Sequence, residues 1–356
     1  MNKCTLSNQL MKFKNDFPLL KSCTYFNTAY VGLMSESLYN FRVNFERDYL
    51  NNGDLYKLKA YDNLPSTQES IASFIGSNRD QTFFVSNFST GIRYVLDSLS
   101  SQANLLYIKN DYHSLVSAIE ERQFNLFPIE MSENVEAAVE KTLSVDKIDV
   151  LVISMVQYTN GLLIDFDFLA ELRNKYPHLI IIGDATQYIG TDLFNFSDSP
   201  FDAVVCSGYK WLLAGFGNGF VALNDDFFAK TQTTAEQFAE KVYTGHFNIL
   251  GAASLVFALD VLMANDFEKL VQANNKLCGE LRATLRKNGF QPVCGNRKKH
   301  STIISIPYDE DLLKLMGDQR ISVAHRGDFI RFSVHFYNTS EDIETLVKVI
   351  KKAAIV

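Results

Sequence analysis

The chain has 356 residues, 47% of them hydrophobic, and a formal net charge of −7 at pH 7. That length and apolar content suffice for one large core with a smaller companion, and the acidic balance excludes the basic footprint that nucleic-acid partners need. Apolar runs such as LLIDFDFLAEL are broken by charge well short of the ~20 residues that span a bilayer. The opening MNKCTLSNQLMKFKNDF has no apolar stretch of secretory type, so no membrane association is expected. Cys4, Cys23, Cys206, Cys278 and Cys294 are scattered and form no C-x-x-C pair. No disulfide framework or metal site is expected, and a reducing cytoplasm is the expected setting.

In chain order, TFFVSN (82–87) reads as a strand, followed by a helix with Ile92, Val95, Leu96 and Leu99 on one face. NLLYIKND precedes the helical HSLVSAIEER, and IDVLVISMVQY precedes DFDFLAELRNKY. HLIIIGDATQ and FDAVVCSGYK come next. Strands that are apolar throughout, separated by helices, predict an α/β fold with a mostly parallel central sheet covered by helices on both faces. From about residue 246 the pattern changes to a long helical stretch, then STIISIPY, DFIRFSVHF and a final helix from Ser340. This predicts a smaller C-terminal α+β domain. The expected division is 20–245 for the large domain, with 1–19 and 246–356 forming the small one.

Most residues able to do chemistry fall just past strand ends, where open α/β sheets bind their ligands. Ser89, Thr90 and Gly91 follow the first strand; Asp111, Tyr112 and His113 follow the second. Gln157, Tyr158 and Asn160, then Asp184 and Gln187, then Ser207 and Lys210 follow the next three. NFSTG at a helix start is either an ordinary cap or a phosphate cradle of hydroxyls and free N–H groups. Asp184, behind LIIIG, needs a donor or a cation: it caps the segment after it or holds a protonated ring nitrogen. Lys210 after a buried strand would have a lowered pKa and act as a nucleophile toward carbonyls. Tyr112 is core or a stacking platform for a flat ring. One ligand answers all four requirements, pyridoxal 5′-phosphate, with Lys210 holding its aldehyde and Ser207 facing its phosphate.

GDATQ and SGYKW in that order, with R-x-S-x-H-x-Y-N-T-x-E-D from Arg331, resemble the class V aminotransferase family of fold-type I pyridoxal-phosphate enzymes. Cysteine desulfurases, kynureninases and isopenicillin-N-epimerase-like proteins belong to that group. The resemblance implies that Asp184 holds the pyridinium nitrogen, Ala185 packs under the ring and Gln187 bonds the phenolic oxygen. It implies phosphate binding by Ser89, Thr90 and Ser207 at the helix that Gly91 helps open, and stacking by Tyr112. Tyr209 stands where the family has histidine, which puts one phosphate contact in question. Either Tyr158 or Asn160 would lie near the phenolate or the substrate. Arg331 would receive the substrate α-carboxylate, with Asn27 and Thr28 lining the pocket. Gly245 and His246 in YTGHFN would reach a neighbouring subunit's site, implying a homodimer. His246 and His335 equally suit structural roles.

The segment 317–333 has no cysteine and is too short for the mobile loop that carries the desulfurase nucleophile. The expected activity is therefore that of an aminotransferase acting on an amino acid. A lyase or epimerase of desulfurase or kynureninase type is the second expectation. A non-catalytic sensor or scaffold of the same fold is a third, disfavoured by the joint presence of Lys210, Asp184 and Arg331.

Overall fold

The computed structural model describes residues 13–353, so Cys4 and most of the expected segment 1–19 lie outside the described residues. The strands, in chain order, are β1 (Thr24–Tyr25), β2 (Thr82–Val85), β3 (Asn104–Ile108), β4 (Asn125–Ile129), β5 (Val150–Ser154), β6 (Ile180–Asp184), β7 (Ala203–Ser207), β8 (Gly219–Leu223), β9 (Ile303–Pro307), β10 (Ile321–Ser322), β11 (Ala324–Arg326) and β12 (Phe329–Ser333). Seven of them form one sheet in the order β2-β8-β7-β6-β5-β3-β4. The links from β7 through β6, β5 and β3 to β4 are parallel, whereas β8 runs antiparallel to both β7 and β2. One reversed strand between β2 and β7 leaves β2 pointing the same way as the rest. The carboxyl ends of β2, β3, β5, β6 and β7 consequently share one edge, as the sequence predicts.

Two further strands lack a sequence signal. NLFPI (β4) is half-exposed and pairs only with β3, and Pro128 is tolerated there because an edge strand need not donate every N–H. GFVAL (β8) lies in a glycine-punctuated stretch. Alternate residues of the strands divide between two apolar clusters: Leu106, Leu151, Ile153, Ile181 and Val204 on one face, Leu105, Val150, Val152, Ile182 and Val205 on the other. Burial on both sides explains why these strands read as continuous apolar runs.

The helix Phe88–Leu96 sits on β2, β7 and β8. A Cβ at Gly91 would lie 2.8 Å from Val205 Cγ1, 2.9 Å from Val221 Cγ2 and 3.1 Å from Val85 Cγ2. This glycine therefore sets how closely the helix approaches the sheet.

A second sheet, β11-β12-β9, is antiparallel and carries its own core, including Leu277, Leu281, Ile304, Ile306, Met316, Phe332 and Leu346. The amino-terminal segment joins this unit: β1 pairs parallel with β10, Phe26 enters its core, and Asn27 bridges Ser333. The helix Ile249–Ala264 instead packs against the helices Glu36–Asn52 and Leu64–Ile75. Among the described residues no single helix is long and apolar enough to cross a membrane.

Because the valines around Gly91 belong to three different strands, they cannot all retreat. Gly91→Ala is expected to lower stability by about 1–3 kcal/mol in urea unfolding; an unchanged midpoint would contradict the packing account.

Candidate active site

Lys210 lies in the turn after β7. That turn is pinned from outside by residues 29–32: Gly32 N donates to Tyr209 O at 3.0 Å, and a Cβ at Gly32 would come within 2.1 Å of Lys210 O. The lysine is 7% exposed, and its amine sits 5.5 Å from the ring centroids of both Tyr112 and Tyr209. Burial lowers its pKa to about 8, the Asp184 carboxylate pulling upward and Arg331 adding to the depression.

Asp184 ends β6, in register with Ser154 of β5 and Val205 of β7. Its Oδ1 accepts from Thr186 N at 2.9 Å. Burial raises its pKa to about 6, with hydrogen bonds from Thr186 opposing, the buried Asp111 raising it further and Lys210 lowering it. The Asp184 carboxylate and the Lys210 amine feel each other's charge yet form no ion pair.

Asp111, which the sequence places at a strand end without a role, organises this edge. It accepts from Tyr112 N at 2.7 Å, Ser154 N at 3.2 Å, Ser154 Oγ at 2.7 Å and Gln157 Nε2 at 3.1 Å. Burial nonetheless holds its proton affinity above the ordinary carboxylate range. Tyr112 is thereby fixed at the start of helix His113–Glu120, edge-on to Phe88 and Tyr158.

At the end of β2 the helix cap is Asn87, not Ser89: Asn87 Oδ1 accepts from Thr90 N at 2.9 Å and from Thr90 Oγ1 at 3.2 Å. Ser207 Oγ accepts from Phe88 N at 2.7 Å, and Ser114 Oγ donates to Ser89 Oγ at 2.6 Å. Gly91 departs from its expected place at the phosphate. Its N–H is spent on Asn87 O, and its lack of a side chain serves the sheet contact described above. Asn is a strong N-cap, so NFSTG held the signal for Asn87.

Arg331 on β12 is 1% exposed. Its Nη1 donates to Tyr158 O, while Nε and Nη2 are buried without any acceptor. Burial lowers its pKa to about 9, helped by Arg326. Asn27 Oδ1, on the neighbouring segment, is likewise buried and unpartnered.

Other expected residues stand elsewhere. Thr28 has no exposed surface, and its hydroxyl pairs with that of Tyr337; it is a core contact rather than a pocket wall. Ala185 is also wholly buried in the apolar cluster beneath the sheet, so no ring can rest on it, and the hydroxyl of Thr186 faces Asp184 instead. Gln187 is engaged at both ends: Trp211 Nε1 donates to its Oε1 at 2.8 Å, and its Nε2 donates to Ala29 O at 3.0 Å. One amide N–H is left over. Asn160 Oδ1 accepts from Leu162 N at 2.9 Å and closes a turn. Tyr209 stacks on Phe216 at 5.0 Å. Gly245 and His246 are exposed, with His246 Nδ1 bonded to the Tyr61 hydroxyl. His335 is structural, sandwiched between Trp211 and Tyr337 and kept neutral by burial, with its pKa lowered to about 4.

A family model described as aminotransferase class-V matches residues 33–346. The chain belongs to this family. Class V aminotransferases are pyridoxal-phosphate enzymes, and pyridoxal 5′-phosphate is the cofactor of this chain. A probable cysteine desulfurase of Methanothermobacter thermautotrophicus is 21% identical, the alignment covering 96% of this chain and 97% of that protein. Among solved structures, a cysteine desulfurase from Thermococcus onnurineus matches with a TM-score of 0.82 at 17% identity, over 96% of this chain and 97% of the other. The cystine C–S lyase C-DES, solved with its product cysteine persulfide, matches with a TM-score of 0.83 at 16% identity, over 94% and 98%. The fold is therefore fold type I.

The residues of the class V site fit the cofactor's chemistry. A buried carboxylate lacks a counter-cation, a buried amine lacks a counter-anion, and a helix start offers hydroxyls beside the end of β7. Asp184 has a raised pKa, so the stability its protonated form contributes is complete below pH 4 and is lost as pH rises through about 6. In cofactor-free protein, the fall in unfolding free energy from pH 4.5 to 7 is expected to be smaller in Asp184→Asn than in wild type, by on the order of 2 kcal/mol. Equal slopes would place Asp184 in water.

Proposed function

We propose that this chain is a pyridoxal-phosphate-dependent lyase that removes a sulfur substituent from the β-carbon of an amino acid, not the aminotransferase expected first. The observation carrying its action on an amino acid is the buried Arg331 edge, Nε and Nη2, left without an acceptor in the same site as Lys210. Those two nitrogens form one side of the guanidinium fork, the side that takes a carboxylate bidentately. The choice of a lyase is supported by the desulfurase relative and by the C–S lyase neighbour, both matched along nearly their whole lengths.

In this reading Asp184 would hold a proton at the cofactor's ring nitrogen, and Tyr112 would lie against the ring. Ser89, Thr90 and Ser207 would bind the phosphate. Tyr209, Gly91 and Ala185 would support these groups from the turn, the helix and the core. The free amide N–H of Gln187, with Tyr158 or Asn160, would serve the phenolic side. Bound there, the cofactor supplies an electron sink for charge developing at the substrate α-carbon. Arg331 would fix the α-carboxylate with Asn27 beside it, and Lys210, once free, would take the α-proton. Its lowered pKa suits it to that work near neutrality. Breaking the carbon–sulfur bond sends its electron pair out on sulfur.

No cysteine occurs in 317–333, and among the described residues burial pushes all four thiols, Cys23, Cys206, Cys278 and Cys294, upward, disfavouring thiolate. The sulfur would therefore leave on a small molecule. We also propose a homodimer, for which the exposed Gly245–His246 loop and the exposed Tyr39, Leu55 and Leu58 supply surface. Sedimentation should give twice the chain mass; a monomer would remove that part.

Incubation of the holoenzyme with β-thio-substituted amino acids is expected to release a 2-oxo acid and a sulfur product without any added 2-oxo acid. A new amino acid formed only when a 2-oxo acid is added would establish transamination instead. Lys210→Ala should retain the fold and lose turnover. Arg331→Gln should raise KM about 100-fold, since a charge-assisted bidentate pair is lost. An unaffected KM would show that the carboxylate is held elsewhere.

A further inference from the structure

Arg331 is not alone on its face of the small sheet. In the β11–β12 hairpin, Ala324 pairs with Arg331 and Arg326 pairs with Phe329. Directly opposed residues of antiparallel strands share a face, as do residues two apart on one strand. Arg326 and Arg331 therefore project from the same face as diagonal neighbours, the small Ala324 standing opposite Arg331. Ser305, opposite Arg331 on β9, shares that face and donates to Thr159 O at 3.1 Å, so the face looks onto the 157–161 loop of the site.

Arg326 is half-buried, its guanidinium 4.9 Å from the ring centroid of Tyr30. Its Nη1 donates to the carbonyl of His325 at 2.8 Å. Among the described residues no carboxylate forms an ion pair with it, although Asp328 lies in the same turn. Its charge instead reaches Arg331 and Lys210, whose protonated forms it disfavours. Diagonal neighbours on one face of a strand pair lie within reach of long side chains, so the two guanidinium charges act on each other. Tyr30, 56% exposed, holds Arg326 beside the segment 29–32 that pins the Lys210 turn. His325, on the opposite face, stacks on Tyr308 at 4.1 Å and belongs to the hairpin's outer side.

We infer that Arg326 is a specificity residue for a second carboxylate, so that among β-thio-substituted amino acids this enzyme selects those whose sulfur substituent ends in an acid, aspartate and glutamate serving as unreactive acidic probes. The inference rests on the proposal that Arg331 receives the α-carboxylate. The substrate's own acid then answers Arg326, and the repulsion between the two arginines is relieved only when a doubly acidic ligand is bound. Neutral ligands leave one guanidinium without an anion.

The test is calorimetric titration of the holoenzyme with L-aspartate against L-asparagine and L-glutamate against L-glutamine, pairs alike in shape and differing in charge. Each acid is expected to bind at least about tenfold more tightly than its amide, and Arg326→Gln should bring each pair within about threefold. Equal wild-type affinities, or a preference that survives Arg326→Gln, would overturn the inference. An Arg331→Gln arm separates the two readings. If the amides bind and Arg331→Gln abolishes their binding while acids show no advantage, only the role of Arg326 falls. If Arg331→Gln changes nothing, the anchoring of the α-carboxylate falls as well.

Discussion

Two cations, Lys210 and Arg331, are buried in one site, and among the described residues no carboxylate forms an ion pair with either. An isolated charge removed from water costs several kcal/mol; buried Arg282 meets that cost with the carbonyls of Ser301 and Ile303, whereas the Nε and Nη2 of Arg331 have no acceptor. The carboxylates that are close, Asp184 and Asp111, are buried as well and hold their protons more tightly than usual. Both kinds of charge are thus incomplete in the same small volume. We propose that a cofactor with an aldehyde, a basic ring nitrogen and a phosphate, together with a carboxylate-bearing substrate, would complete them.

The fold is arranged to keep these groups apart yet adjacent. The reversed β8 lets β2 run with the parallel strands, which puts the helix start at Phe88 on the same edge as Asp184 and Ser207. The pairing of β1 with β10, and the bridge from Asn27 to Ser333, carry residues 27–32 between the two units. There Ala29 O meets Gln187, Ala29 N meets Ser333 Oγ and Gly32 meets the turn before Lys210. The stack of Trp211, His335 and Tyr337 then locks that turn to the strand exit carrying Arg331. We propose that the two sheets mark two units, the smaller having its own core from Leu277 to Ile350 joined by Phe26.

The large sheet is legible in the sequence because its strands are buried on both faces and so appear as uninterrupted apolar runs. β4 and β8 are not, for opposite reasons: one is an edge strand with a proline, the other is embedded among glycines. Lys210, Asp184 and Arg331 stand out because a charge inside an apolar run is anomalous wherever it occurs. Thr28, Ala185 and Gly91 look no different in sequence from pocket residues. Only the packing of Tyr337, of the core beneath Ala185 and of three valines around Gly91 distinguishes them. Asp111 is visible at its strand end, but its hub of hydrogen bonds depends on strand register between β3 and β5, which local pattern does not carry. The pairing of Arg326 with Arg331 is similarly a matter of hairpin register.

The central claim is that one buried amine holds the cofactor. Borohydride reduction of the purified holoenzyme, followed by proteolysis and mass spectrometry, tests it most directly. The account predicts the reduced pyridoxyl-phosphate adduct on the peptide containing Lys210 and on no other lysine. An adduct on a different lysine, or none at all on cofactor-saturated protein, would contradict it.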